Sequence, residues 1–178
     1  MADGGDRCRI VSCGRRERAV LIAGRLWDEG KNAAALDRIA PALDAPVRAA
    51  GPVRGPNGAA VDLHNLHLLG TLDALAMAEA YASATVYASM ARYEPFGLSV
   101  LEAARAGLRL VLADIPSLRE LWDGAASFVR EEPELLPALA AALRAEGDGG
   151  AQSRAARYTV DAMVEGTLAV HRAVGALA

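Results

Sequence analysis

Runs of four to six mostly apolar residues alternate with longer amphipathic segments along most of the 178 residues. A strand buried on both faces needs a nearly continuous apolar run, whereas a helix lying on a sheet needs only one apolar stripe. The alternation therefore specifies a parallel sheet covered by helices, the α/β class. Residues 19–24 (AVLIAG) read as the first strand and 32–43 (NAAALDRIAPAL) as the helix after it. Residues 46–51 (PVRAAG) give a second strand, followed by the Gly/Pro/Asn loop GPVRGPNG, the clearest break in the chain. LHLLG (66–70) reads as a third strand, with Thr71 placed to cap a helix over 72–83. TVYAS (85–89) is a fourth, and Gly107 closes the helix that follows it. RLVLA (109–113) is a fifth, Pro116 and Ser117 open a short helix, and ASFV (126–129) is a sixth. Residues 133–146 read as a helix, 147–150 (GDGG) as a flexible connector, and 151–175 as one or two terminal helices. On this tail Val160, Met163, Val164 and Leu168 recur at helical spacing. Residues 1–18 show no clear period and read as a leader or linker; 19–178 form one domain, because the length suits one hydrophobic core and not two.

Hydrophobic residues make up 53% of the chain and charged residues 23%, which describes a soluble globular protein rather than a disordered one. The formal net charge of −3 opposes general nucleic-acid binding, which needs a basic surface to release counterions from phosphates. An anionic ligand must instead be held by a local cluster of cations. No apolar run is long enough to span a membrane, and the N-terminus lacks the hydrophobic region of a signal peptide. A cytoplasmic location is expected, with the cytosolic membrane face left open. Cys8 and Cys13, separated by four residues, have no second pair and no histidine at ligand spacing, so they read as reduced thiols and not as a zinc site. His64, His67 and His171 read as surface or packing residues.

In an open parallel sheet, ligands bind beyond the carboxyl ends of the strands. Three loops at that edge carry chemistry: GRLWDEGKN (24–32), Gly70 with Thr71, and ASMARYEPFG (88–97). In the first, Arg25 offers a planar fork of donors and Lys31 a point charge, which together can neutralise a diphosphate. The plain alternative is that both are surface cations paired with Asp28 or Glu29. In YEPFGLSVLE (93–102), Pro95 and Gly97 define a tight turn, and a helix starting near Leu98 presents free backbone amides to anionic or electron-rich groups. Glu94 lies in the loop, and Glu102 sits in the helix where it can point back to the same cleft. Carboxylates accept hydrogen bonds from vicinal hydroxyls. Two of them suit a molecule with hydroxyls at both ends and phosphates between; the alternative is a capping or solvated Glu94 and a helix-surface Glu102.

GRLWDEGKN, followed downstream by YEPFGLSVLEAARAG, resembles the donor-binding half of retaining glycosyltransferases of the GT-B fold. This is glycosyltransferase family 4 and its relatives, the large group that includes sucrose synthases, glycogen synthases and mannosyltransferases. The resemblance covers residues 19–175. The group's two glutamates with seven residues between them match Glu94 and Glu102, its Gly-Arg-Leu turn matches Gly24, Arg25 and Leu26, and its phosphate lysine matches Lys31. The fold implied is Rossmann-like, the C-terminal half of a GT-B fold. By resemblance, Arg25, Lys31 and Glu94 are the catalytic residues: the two cations hold the donor diphosphate and stabilise its charge as the glycosidic bond breaks, and Glu94 binds hydroxyls of the transferred sugar. Glu102 binds the ribose, while Gly24, Phe96, Gly97, Leu98 and Ser99 contact the donor, and main chain around Gly70 and Thr71 meets the base. The donor implied is a UDP-, GDP- or ADP-sugar; no metal and no further cofactor is implied. The order Asp-Glu-Gly-Lys departs from the group's commoner Glu-Lys-Gly, which bears on the reach of Lys31.

Complete GT-B enzymes place the acceptor site on an N-terminal domain, for which the eighteen residues before the first strand leave no room. The expectation is therefore an isolated donor domain, inactive alone, which is either a fragment, the product of a truncated gene, or one half of a two-chain enzyme whose acceptor half sits on another chain. Its terminal helix, which in complete enzymes crosses back to that domain, is left for a partner or a dimer. The alternatives are a non-catalytic nucleotide-sugar-binding module acting through a partner chain and, more remotely, a doubly wound domain with no nucleotide site.

Overall fold

The computed structural model describes residues 16–147 and 149–175. Six strands, β1 (Val20–Ala23), β2 (Val47–Ala50), β3 (His67–Gly70), β4 (Val86–Ser89), β5 (Arg109–Ala113) and β6 (Ser127–Val129), form one sheet in the order β3-β2-β1-β4-β5-β6. Every neighbouring pair is parallel. Around it lie α1 (Ala33–Ile39), α2 (Ala74–Ser83), α3 (Leu98–Arg105), α4 (Pro116–Trp122), α5 (Glu132–Arg144), α6 (Gly150–Ala155) and α7 (Val160–Ala173).

Successive strand residues point to opposite faces, so each apolar run feeds two cores. Val20, Ile22, Val86, Ala88 and Val111 join Leu36 of α1 and Leu135 and Leu139 of α5 on one face. Leu21, Tyr87, Leu110 and Leu112 join Tyr81 of α2, Val100 and Leu101 of α3, Leu118 of α4 and Ala155 of α6 on the other. Leu36, Leu135 and Leu139 are each 0% exposed, and burial of such a side chain contributes about 2 kcal/mol.

Three local details differ from the sequence reading. The helix expected over 32–43 splits: α1 stops at Ile39 and a 3-10 turn, Ala40–Ala42, carries Pro41. Proline has no N–H to give to a continuing helix, so the chain tightens there instead. The helix expected from a Thr71 cap begins two residues later than 72. Asp73 is its N-cap, with a side-chain oxygen accepting from the Ala76 N–H at 2.8 Å, and Thr71 stays exposed in the loop. Aspartate caps as well as threonine and adds a negative charge where the helix dipole favours it. In the connector, Gly149 takes the left-handed conformation (φ 72°) that starts α6 at Gly150. Residues 16–18 are tied to the domain, since the Glu17 N–H donates to the Ser83 carbonyl at 2.8 Å and the Thr85 hydroxyl to the Glu17 carbonyl at 2.6 Å. The rest of the expected leader, with Cys8 and Cys13, lies outside the described residues. Among the described residues no helix is long and apolar enough to cross a membrane.

The strand order fixes where a ligand can enter. From β1 the chain builds β2 and β3 on one side, then returns to place β4 on the other. The loops leaving β1 and β4 therefore lead to helices on opposite faces of the sheet, and the switch point between them at the carboxyl edge is where sheets of this kind form a ligand crevice.

Candidate functional site

The loop after β1 is organised by Asp28. One of its oxygens accepts from the Gly30 N–H at 2.9 Å and caps a 3-10 turn, Glu29–Lys31. The other accepts from Arg25 at 2.9 Å. The Lys31 N–H donates to the Asp28 carbonyl at 2.8 Å, which holds the lysine at the end of the turn. Its side chain then runs over Gly24, where a Cβ would lie 3.7 Å from Lys31 Cε, and forms an ion pair with Glu94 from the loop after β4. The two side chains are 21% and 11% exposed, so the pair is largely sheltered from water.

The loop after β4 is strapped from both sides. The Arg92 N–H donates to the Gly30 carbonyl at 2.8 Å, joining it to the β1 loop, and the Ser117 hydroxyl of α4 donates to the Glu94 carbonyl at 2.6 Å. Gly97 follows in the left-handed region (φ 81°) as the N-cap of α3. A Cβ there would stand 3.1 Å from Val100 Cγ2 and 3.4 Å from Glu94 Cγ, so a glycine is needed for conformation and space alike. The first N–H groups of α3, on Leu98, Ser99 and Val100, precede the intrahelical ladder and carry the positive end of the helix dipole to the crevice.

Two packed tyrosines lie beneath. Tyr87 is buried, with its hydroxyl 3.2 Å from the Ala23 carbonyl and 2.9 Å from Ser99 Oγ. Burial pushes its pKa up to about 12. The protonated phenol donates to Ala23, which can only accept, and receives from Ser99. Tyr81 packs on it at 6.1 Å between centroids and donates to Glu102 Oε2 at 3.0 Å. Burial raises the Tyr81 hydroxyl far above the ordinary phenol range, so it too stays a donor.

The structure thus brings Gly24, Lys31, Glu94 and Gly97 together. Arg25 is 63% exposed and bonds within its own turn, to Asp28, with its guanidinium 5.8 Å from the Trp27 ring. Arg25, Lys31, Asp28 and Glu94 together carry no net charge. Glu102 lies farther along α3 on an exposed face, and Leu98 is also exposed. Phe96 turns its ring edge-to-face onto Tyr158 at 5.7 Å, and Ser99 spends its hydroxyl on Tyr87. Gly70 ends β3 with φ 69°, its carbonyl accepting from the Gly51 N–H at 2.7 Å, and Thr71 follows it, exposed.

Asp28, Gly51, Tyr81, Tyr87 and Ser117 build the site without having been singled out from the sequence. Gly51 has the sharpest constraint: φ is 135°, and a Cβ would lie 1.8 Å from the Gly24 carbonyl oxygen. A glycine closing a predicted strand was its only sequence signal. Asp28 stood in a charged turn where local pairing was one of the two readings, and the tyrosines gave no signal.

A parallel doubly wound sheet with charged loops meeting at its switch point defines an α/β domain of the kind that holds ligands at its carboxyl edge. The chain belongs to the group 1 glycosyl transferases, whose family model matches residues 17–145. Among solved structures it is similar to sucrose-phosphate synthase from Thermosynechococcus elongatus, at 20% identity and TM-score 0.70 over 90% of this chain and 46% of that one. It is also similar to HepE of Anabaena, solved in complex with UDP and glucose, at 18% identity and TM-score 0.74 over 91% of this chain and 49% of that one. Likeness at these identities shows the fold, and the chain spans just under half the length of either protein. No curated protein sequence matches.

Proposed function

We propose that this chain is the donor half of a retaining, metal-independent glycosyltransferase that binds a nucleotide-diphosphate sugar in the crevice between the β1 and β4 loops. The observation that carries this reading is the sheltered Lys31–Glu94 ion pair, built from two loops, over Gly24 and beside the first turn of α3. A cation, an acid and the first amides of a helix close together suit a sugar diphosphate, which presents phosphate charge and hydroxyls side by side. A neighbour solved with UDP and glucose supports a nucleotide-sugar ligand, with UDP, GDP and ADP as the carriers to test.

In the transfer, the bond from the anomeric carbon to the β-phosphate oxygen breaks and its electron pair leaves with the diphosphate. The acceptor hydroxyl oxygen bonds to the same carbon on the same face and passes its proton to the departing β-phosphate oxygen. Lys31 and the α3 amides stabilise the growing phosphate charge, in a partly desolvated site where such donors act most strongly. Arg25 reaches the diphosphate by leaving Asp28, a short rotation for an exposed side chain. Glu94 accepts from the sugar hydroxyls, Glu102 from the ribose, and main chain at Gly70 and Thr71 meets the base. The acceptor sits on an N-terminal domain outside these residues, so the chain alone binds donor without transferring it.

Thermal denaturation with UDP, GDP and ADP tests the binding half of this reading. A nucleotide at a hundred times its Kd stabilises the fold by about 2.7 kcal/mol, and absence of any shift with all three contradicts it. Sugar transfer measured with and without a supplied acceptor half tests the rest. Binding that never leads to turnover with that half present identifies a non-catalytic module instead.

A further inference from the structure

We infer that Tyr81 is a positioning residue that makes the site selective for ribonucleotides by holding the Glu102 carboxylate in place; this rests on Glu102 being the ribose-binding acid of the proposed donor site. Tyr81 lies on α2 and Glu102 on α3, and the phenol hydroxyl donates to Glu102 Oε2 at 3.0 Å. Tyr81 is only 5% exposed, its ring set against buried Tyr87, so its hydroxyl cannot follow the carboxylate out to solvent. Glu102 itself is on an exposed face, and among the described residues its other carboxylate oxygen receives no hydrogen bond.

A free glutamate on a helix surface samples many rotamers, and fixing it at the moment of binding costs conformational entropy. A rigid donor on one oxygen removes that freedom beforehand and leaves the other oxygen's lone pairs for a diol. Burial raises the Tyr81 pKa, so the phenol keeps its proton and remains a donor. Tyr87 extends the same scaffold to the phosphate side, through the Ala23 carbonyl just before Gly24 and through Ser99 at the start of α3. The acid for the ribose and the loops for the diphosphate are thus built on one pair of packed phenols, their rings tilted at 49°, which sets their spacing.

A buried tyrosine also seeks any acceptor it can reach, so the test must read something that mere packing does not move. Calorimetry on this chain would compare UDP, GDP and ADP with their 2′,3′-dideoxy counterparts, which keep base and diphosphate and lose the diol. The wild-type chain should prefer the ribonucleotide, and Tyr81→Phe should reduce that preference by about fivefold, the size expected when a glutamate must be fixed from free rotamers on binding. Dideoxynucleotide affinity should not change, which also shows that the variant folds. In a Glu102→Ala background, where the preference is already gone, Tyr81→Phe should change nothing further. A Tyr81→Phe chain that keeps the full ribose preference, or weakens both nucleotide forms alike, overturns the inference and leaves the donor-site reading standing. A wild-type chain that binds none of the three ribonucleotides overturns both.

Discussion

Asp28 sets how much positive charge the crevice can offer. It caps the turn that carries Lys31 and also takes one bond from Arg25, so each cation has its own carboxylate. Asp28→Asn keeps an oxygen for the Gly30 N–H and removes the charge that restrains Arg25. Nucleoside diphosphate affinity should rise by about two- to fivefold, a modest gain because Arg25 is exposed and screened. Calorimetry at low and high salt checks this, and an unchanged or weaker affinity at low salt argues against a phosphate role for Arg25. Gly51→Ala should destabilise the fold by about 2 kcal/mol or more, because strained backbone and a clash with the Gly24 carbonyl are both forced. Urea unfolding reads the loss, and a neutral substitution means that β1 and β2 do not end as closely as described. At this scale the sequence reveals residue types better than partners. Arg25 and Asp28 can pair because they share a turn, and that option is visible in the sequence. Tyr81 and Glu102 meet only because α2 packs beside α3, and nothing in the stretch of chain between them signals it.

Elements reach the site through their anchors. Asp114 at the end of β5 is held by Arg119 of α4 at 2.6 and 3.0 Å and by Arg130, beyond β6, at 2.8 Å. Arg119 also lies 4.0 Å over the Phe128 ring. This grip fixes α4, whose Ser117 braces the Glu94 loop. The two arginines hold the Asp114 carboxyl well below the usual carboxylate range. A carboxylate depressed in the folded state contributes stability above its unfolded pKa of about 4, and that contribution is lost as pH falls below this value towards the folded pKa. Asp114→Asn should therefore lower Tm at neutral pH and flatten the decline of Tm on acidification. Thermal melts from neutral pH downwards check this; parallel curves for the two proteins mean that the cluster does not contribute. Helix starts are legible where one residue alone fits, as Pro116 does in the first turn of α4. They are less so where Thr71 and Asp73 compete, because the choice depends on which of the two the chain leaves extended, and that is set by how β3 ends.

Across the whole molecule, the strands could be read in sequence order from apolar runs because both faces of the central sheet are covered. The same signal does not tell edge from centre: LHLLG looks like any interior run, yet all four residues of β3 are exposed at the sheet edge. Nor does helical periodicity say what a helix packs against. α7 buries none of its residues, and Val160, Met163, Val164 and Leu168 all stand exposed. Removing residues 160–178 should therefore shift Tm by less than about 2 °C, since a helix that buries nothing contributes under ~1 kcal/mol to a domain of this size. A larger fall means that the tail packs on the sheet domain in solution. The meeting of Lys31 and Glu94 in one crevice is tested most directly by calorimetric titration of wild type, Lys31→Gln and Glu94→Gln with UDP, GDP, ADP and their glucose conjugates. Lys31→Gln should weaken the nucleotide that binds by about tenfold, the loss of one sheltered charge-assisted contact. Glu94→Gln should instead abolish any advantage of the sugar conjugate over the bare diphosphate. Equal affinities for wild type and Lys31→Gln, or no binding of any of these nucleotides by wild type, would contradict a donor site at this crevice.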